Sequence, residues 1–63
     1  MKGTVKWYNA RKRFGFIQGE DGTDVFVHQS ALPMGMLLNE GDDVEFEIEV
    51  TDKGPKAVNV KKL

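Results

Sequence analysis

An all-β fold of five short antiparallel strands closing into a small barrel is what this sequence predicts, and three observations predict it. Five segments are rich in Val, Ile, Phe, Tyr and Trp. Turn formers separate them, and no segment of about 10 residues or more carries a 3.6-residue apolar period. At 63 residues there is room for one domain, residues 1–63, with a small core and no repeat or linker. Closure into a barrel suits so short a chain because it leaves few sheet edges open.

The first segment is 2–9, running from Lys2 to Asn9 through Val5, Trp7 and Tyr8. The second is 14–18, beginning Phe14-Gly15-Phe16-Ile17, and the third is 24–28, Asp24-Val25-Phe26-Val27-His28. Glu20-Asp21-Gly22 supplies the turn between these two, so they are expected to form an antiparallel hairpin. Residues 29–41, with Pro33, Gly35 and Gly41, read as a long loop with room for one helical turn. The fourth segment, 43–50, holds Val44-Glu45-Phe46-Glu47-Ile48-Glu49-Val50, apolar and acidic in strict period two, which predicts one buried and one wet face with the acids outward. After Asp52-Lys53-Gly54-Pro55 comes the fifth, 55–61.

There is no cysteine and one histidine, so neither a disulfide nor a structural zinc site is available, and no cofactor is expected. No apolar run approaches the ~18 residues of a membrane helix, and the first residues hold no apolar signal region; a cytoplasmic protein without membrane contact is expected. Net charge is −1, but its distribution is polarised. Lys2, Lys6, Arg11, Lys12 and Arg13 lie in the first 13 residues with no acid, whereas 40–52 carry Glu40, Asp42, Asp43, Glu45, Glu47, Glu49 and Asp52 with no base. The regular spacing of Glu45, Glu47 and Glu49 reads as a solvated strand face and not a metal site.

Period two also sorts the hairpin. If Ile17, Val25 and Val27 fill the core, then Phe14, Phe16, Phe26 and His28 face out. Pairing Phe16 with Phe26 sets Phe14 opposite His28 and puts the turn at Asp21, giving one contiguous patch of π-systems. The opposite assignment, phenylalanines in and valines out, is the alternative that alternation leaves open. Exposed rings forgo roughly 1.5 to 3 kcal/mol each of burial, which asks for a use. Single-stranded bases stack on such rings for about 1 to 3 kcal/mol apiece, whereas duplex bases are already stacked on one another. Nearby cations then meet phosphates. His28 lacks a nucleophile or carboxylate arrangement of any recognisable hydrolase, Ser30 and Asp24 notwithstanding, so no enzyme is expected.

At this level of detail the chain resembles the cold-shock protein family, which includes the cold-shock domains of Y-box proteins. The resemblance rests on Gly3-Thr4-Val5-Lys6-Trp7-Tyr8-Asn9, on Lys12-Arg13-Phe14-Gly15-Phe16-Ile17 and on Asp24-Val25-Phe26-Val27-His28-Gln29-Ser30-Ala31-Leu32. It extends through Gly41-Asp42-Asp43-Val44-Glu45-Phe46 and Lys53-Gly54-Pro55-Lys56-Ala57-Val58-Asn59-Val60. It implies a five-stranded OB-fold barrel with two ribonucleoprotein motifs on the second and third strands. It also implies weakly selective binding of single-stranded RNA and DNA, and a role as RNA chaperone and modulator of transcription or translation in stress responses. Carried over by motif position, the binding surface is Lys6, Trp7, Phe14, Phe16, Phe26 and His28, with Tyr8 and Lys12 at its margin; Arg13 and Met36, which depart from the pattern, are expected to join it as a cation beside the rings and a side chain that packs on a base. A monomer with no obligate protein partner is expected.

Three departures from the family pattern stand out. Arg13 occupies a position usually held by Gly, which suggests a left-handed backbone. Gln29 replaces the aromatic residue common after the motif His. The loop from Pro33 to Asn39 is shorter than usual and offers Met34 and Met36 where an aromatic often stands. A rival function from another class is a barrel whose aromatic groove takes up peptide segments, which leaves the basic cluster without a purpose.

Overall fold

Strands form where the β-branched and aromatic residues concentrate: β1 Lys2–Asn9, β2 Phe14–Gly19, β3 Asp24–His28, β4 Asp43–Thr51 and β5 Gly54–Lys62. These belong to a computed structural model that describes residues 1–33 and 35–63. One 3-10 turn, Gln29–Ala31, follows β3 directly and is the helical turn expected in the long loop. The strands close into a barrel in the order β1-β2-β3-β5-β4, every pairing antiparallel except β3 with β5. An all-β, OB-type barrel is therefore observed, with one parallel contact where an all-antiparallel set was expected.

Turn chemistry sets the two tight hairpins. Between β2 and β3, Asp21 Oδ1 accepts the Thr23 amide at 3.0 Å, the Gly22 amide donates to Gly19 O at 2.9 Å, and Gly22 takes φ 88°. Between β4 and β5, Thr51 Oγ1 donates to Gly54 O at 2.8 Å and accepts the Lys53 amide at 3.2 Å. The β2–β3 register that results pairs Phe16 with Phe26 and Phe14 with His28, as the turn position predicts.

The core is small and almost wholly aliphatic: Val5, Ile17, Val25, Val27, Leu38, Val44, Ala57 and Val60 surround Phe46. Leu38 comes from the long loop. The Val5 amide donates to Asp42 O and the Gly41 amide to Val5 O, so the end of that loop lies along β1 beside buried Leu38. Asp42 pins the same turn by accepting the Asn39 amide at 2.9 Å.

β4 departs from expectation at its far end. Val44 and Phe46 are buried, but Ile48 is 38% exposed and Val50 84%. β1 pairs with β4 only through Lys2–Thr4 opposite Asp43–Glu45; past that seam Ala57, opposite Ile48, is still buried, but Ile48 is only partly covered and Val50 lies open. β5 also skips a residue, passing from Lys61 opposite Glu45 to Val58 opposite Glu47; Asn59 there has φ 52°, a left-handed position that Asn tolerates.

Candidate nucleic-acid interface

The outer faces of three adjacent strands build one aromatic surface. Ile17, Val25 and Val27 are buried, so alternation turns Phe14, Phe16, Phe26 and His28 outward. Trp7 joins them through an irregularity. From buried Val5, strict alternation carries Trp7 into the core, but Val5 pairs with Ile17 and Trp7 with Phe16, leaving Lys6 as the extra residue of a bulge. That one residue moves Trp7 to the outer face and returns Tyr8 to the inner one.

Tyr8 accordingly packs against the core, opposite Gly15, and makes no ring contact with the outer group among the described residues. Gly15 has a steric role there. A side chain on it meets Trp7 O and the Tyr8 backbone, so β1 crosses β2 this closely only over glycine.

The four outer carbocycles form a closed circuit. Trp7 lies 5.7 Å from Phe14 and 5.6 Å from Phe16, and Phe26 lies 5.8 Å from each of the same two. Interplanar angles of 30° to 75° are tilted or edge-on, so no two rings cover each other face to face. The three phenylalanines are half-buried and Trp7 is 40% exposed. The full cost of solvent exposure assumed from the sequence is thus reduced, because each ring shelters its neighbour.

His28 stands beside Phe14 with its Nδ1 accepting the Ser30 amide at 3.1 Å and 3.1 Å from Ser30 Oγ. With Nδ1 occupied as an acceptor, the neutral ring carries its proton on Nε2, a donor suited to a base edge. Gln29, next to it, is exposed. Met36 is half-buried against the core and lines a groove of about 720 Å³ with His28, Gln29, Ser30, Leu32 and Leu37. Met34 lies outside the described residues.

The cations divide by partner. Lys6 Nζ sits 3.2 Å from Asp24 Oδ2, an exposed pair of little energetic weight. Lys12 and Arg13 are exposed and have no ion pair among the described residues. They ride on a loop clamped by Asn9, whose Oδ1 accepts the Arg11 and Lys12 amides at 3.0 Å each while its carbonyl accepts the Arg13 amide at 2.7 Å. Arg13 has φ 66°, the left-handed conformation expected from the glycine pattern, and its carbonyl accepts the Gln29 amide at 2.9 Å.

One flank of the surface was missed in the sequence. The parallel register sets Lys56 beside Phe26, and a groove of about 660 Å³ runs from Phe16, Asp24 and Phe26 to the Thr51–Lys56 turn. Lys53, Pro55 and Lys56 therefore border the rings, though about 30 residues away in sequence from Phe26. Only the β3–β5 pairing brings them there, and no local pattern signals it.

The acids lie mostly on other ground. Glu45 pairs with Lys61 at 3.3 Å and Asp42 with Lys62 at 3.3 Å. The Asn39 amide, and secondarily Lys62, hold the Asp42 carboxyl below the ordinary aspartate range; the Thr23 amide does the same for Asp21. No group of three His, Cys, Asp or Glu side chains able to hold a metal occurs among the described residues, and no helix there is long and apolar enough to cross a membrane.

Comparison with known proteins agrees with this geometry. The family described as the "cold-shock" DNA-binding domain matches residues 1–63. Cold shock protein 2 of Lactiplantibacillus plantarum is 57% identical over 61 residues, covering 94% of this chain and 92% of its own. The cold shock-like protein CspC of Bacillus cereus is 55% identical over 65 aligned positions and all of both chains. The major cold shock protein of Streptococcus pyogenes is 52% identical over 64, covering 98% of this chain and 96% of its own. Among solved structures, Drosophila Unr CSD456 superposes with a TM-score of 0.73 at 23% identity over 98% of this chain, a likeness of fold; this chain spans 26% of that one.

Proposed function

This chain belongs to the cold-shock domain family, a family of nucleic-acid-binding barrels, and on that premise we propose that it binds single-stranded RNA and DNA by stacking bases on its outer rings. The observation that carries the reading is the circuit of Trp7, Phe14, Phe16 and Phe26, with ring faces left uncovered by one another and cations on both sides. Bases of any identity have faces to stack, which makes selectivity low. His28 adds a ring and an Nε2 donor. Lys12 and Arg13 on one side and Lys53 and Lys56 on the other meet phosphates, and Lys6 does so when the strand displaces Asp24. Tyr8 and Met36, both packed against the core, contribute at most an edge.

Chaperone action follows by linkage. A ligand-binding face that accepts only unpaired strand draws RNA hairpins toward their open forms, with no nucleotide hydrolysis and no catalytic residue. The protein acts in this reading as a monomer in the cytoplasm, modulating transcription or translation. Trp7 lies within the face and reports occupancy. Titration with single-stranded and duplex oligonucleotides of equal length is expected to quench Trp7 with the single strand far more strongly; equal affinity for the two rules the stacking reading out.

A further inference from the structure

Lysine stands opposite two of the three glutamates of β4, while the third, Glu47, faces Val58. On the β5 side Glu45 lies opposite Lys61 and Glu49 opposite Lys56; on the β1 side Glu45 lies opposite Lys2. The β1 side then stops. Past the two hydrogen bonds between Met1 and Phe46, of 2.7 and 2.8 Å, no strand among the described residues pairs with the open side of β4 over residues 47–51.

Pro55 reveals which main-chain groups that leaves free. It has no N–H, so the Val50–Pro55 pair cannot exchange both ladder hydrogen bonds. Such pairs alternate in an antiparallel ladder, so Ile48–Ala57 is of the same kind. The N–H and C=O of Ile48 and Val50 therefore point away from β5, the direction in which Phe46 meets Met1. Ile48 and Val50 are exposed on one face of this edge. Glu47 and Glu49 are exposed on the other, with no ion pair among the described residues.

We propose that the Glu47–Thr51 edge of β4 takes up an extended basic segment of a partner protein by β-strand addition, its cations opposite Glu47 and Glu49 and its apolar residues opposite Ile48 and Val50. Main-chain hydrogen bonds supply affinity and the alternating side chains supply selectivity, as in other strand additions. The incoming segment repeats what β1 and β5 already do, placing lysine against glutamate. A second copy of this chain is disfavoured at the same edge. Antiparallel pairing centred on Ile48 sets Glu47 against Glu49, and pairing centred on Glu49 sets that residue against itself; like charges directly opposite are destabilising.

The test titrates the isotope-labelled chain with a blocked peptide of alternating lysine and valine, and separately with one of alternating glutamate and valine. Expected are shifted resonances and slowed amide exchange at Ile48 and Val50 with the lysine peptide alone. The double variant Glu47→Gln, Glu49→Gln is expected to weaken that binding about tenfold. Val50→Pro, which removes an edge N–H that no strand here uses, is expected to abolish it; should that variant fold poorly, the glutamine pair, confined to surface side chains, still decides. Equal binding of both peptides, shifts that map elsewhere, or unchanged binding by the glutamine pair overturns the proposal. Shifts at Ile48 and Val50 that grow with protein concentration in the absence of peptide also overturn it, since they report self-association.

Discussion

The β2–β3 hairpin and the β4 strand carry the same kind of pattern and end in opposite states. In β2 and β3 both faces are apolar, and the smaller aliphatic side chains went inward while the larger rings went out to shelter one another. In β4 only one face is apolar, and half of that face is uncovered at Ile48 and Val50. Alternation tells which residues share a face; it does not tell whether anything lies against that face. What lies against it is decided by neighbouring strands, and β1 leaves β4 after Lys2–Thr4.

Substitution along one face of β4 breaks or sharpens this contrast most. Phe46→Ala removes the largest core side chain and is expected to cost about 3 to 5 kcal/mol, enough to unfold a domain of this size, whereas Val50→Ala should stay within about 0.5 kcal/mol. Chemical denaturation of the two variants measures the difference, and comparable losses would show that the hairpin end is packed after all.

On the hairpin side, Phe16→Ala should weaken single-strand binding by about 1 to 3 kcal/mol with little change in salt dependence, because stacking is not an ionic contact. Lys12→Ala should instead lower the slope of log K against log salt by about 0.7 while leaving high-salt affinity close to unchanged. Titrations at several salt concentrations separate the two, and exchanged outcomes would mean that charge and not stacking holds the strand.

Arg13→Gly is expected to move stability and binding in opposite directions. Glycine relieves a left-handed backbone worth about 1 kcal/mol, so the melting temperature should rise while affinity at low salt falls. A variant that is both less stable and weaker would show that the Arg13 side chain packs instead of reaching for phosphate.

The smallest effect is acidic. Asp42 and Asp21 have their carboxyls held below the ordinary value by the Asn39 and Thr23 amides, so their contribution to stability is present above the unfolded-state value of about 4 and fades as pH falls through the lower folded value. Thermal melts from neutral pH down to acid should be flat with respect to these two groups until about pH 4 and decline below it. Asp42→Asn should flatten part of that decline.

Much of the site is legible in the amino-acid sequence, for local reasons. That Phe14, Phe16, Phe26 and His28 share one face follows from period two and from a turn whose residues announce it, while burial of Ile17, Val25 and Val27 in the folded barrel settles that this face is the outer one. The left-handed conformation of Arg13 is legible from the family pattern. Trp7 is not placed by alternation at all, because a bulge at Lys6 reverses the parity of β1 and nothing in Val5-Lys6-Trp7 marks the extra residue. Tyr8, expected at the margin of the site, turns inward for the same reason.

What the amino-acid order settled unaided is therefore what neighbours in sequence settle: the number of strands, the turns of the β2–β3 and β4–β5 hairpins, which residues of the central hairpin share a face, and the segregation of charge. These depend on side-chain period and turn chemistry, interactions that span a few residues. Tertiary structure alone decided the placement of Lys53 and Lys56 beside Phe26, the plug of Leu38 along β1 and the uncovered end of β4. Each of these is a pairing between segments far apart in the chain. Such pairings are chosen by how the whole barrel closes over its core, and no single segment carries that information.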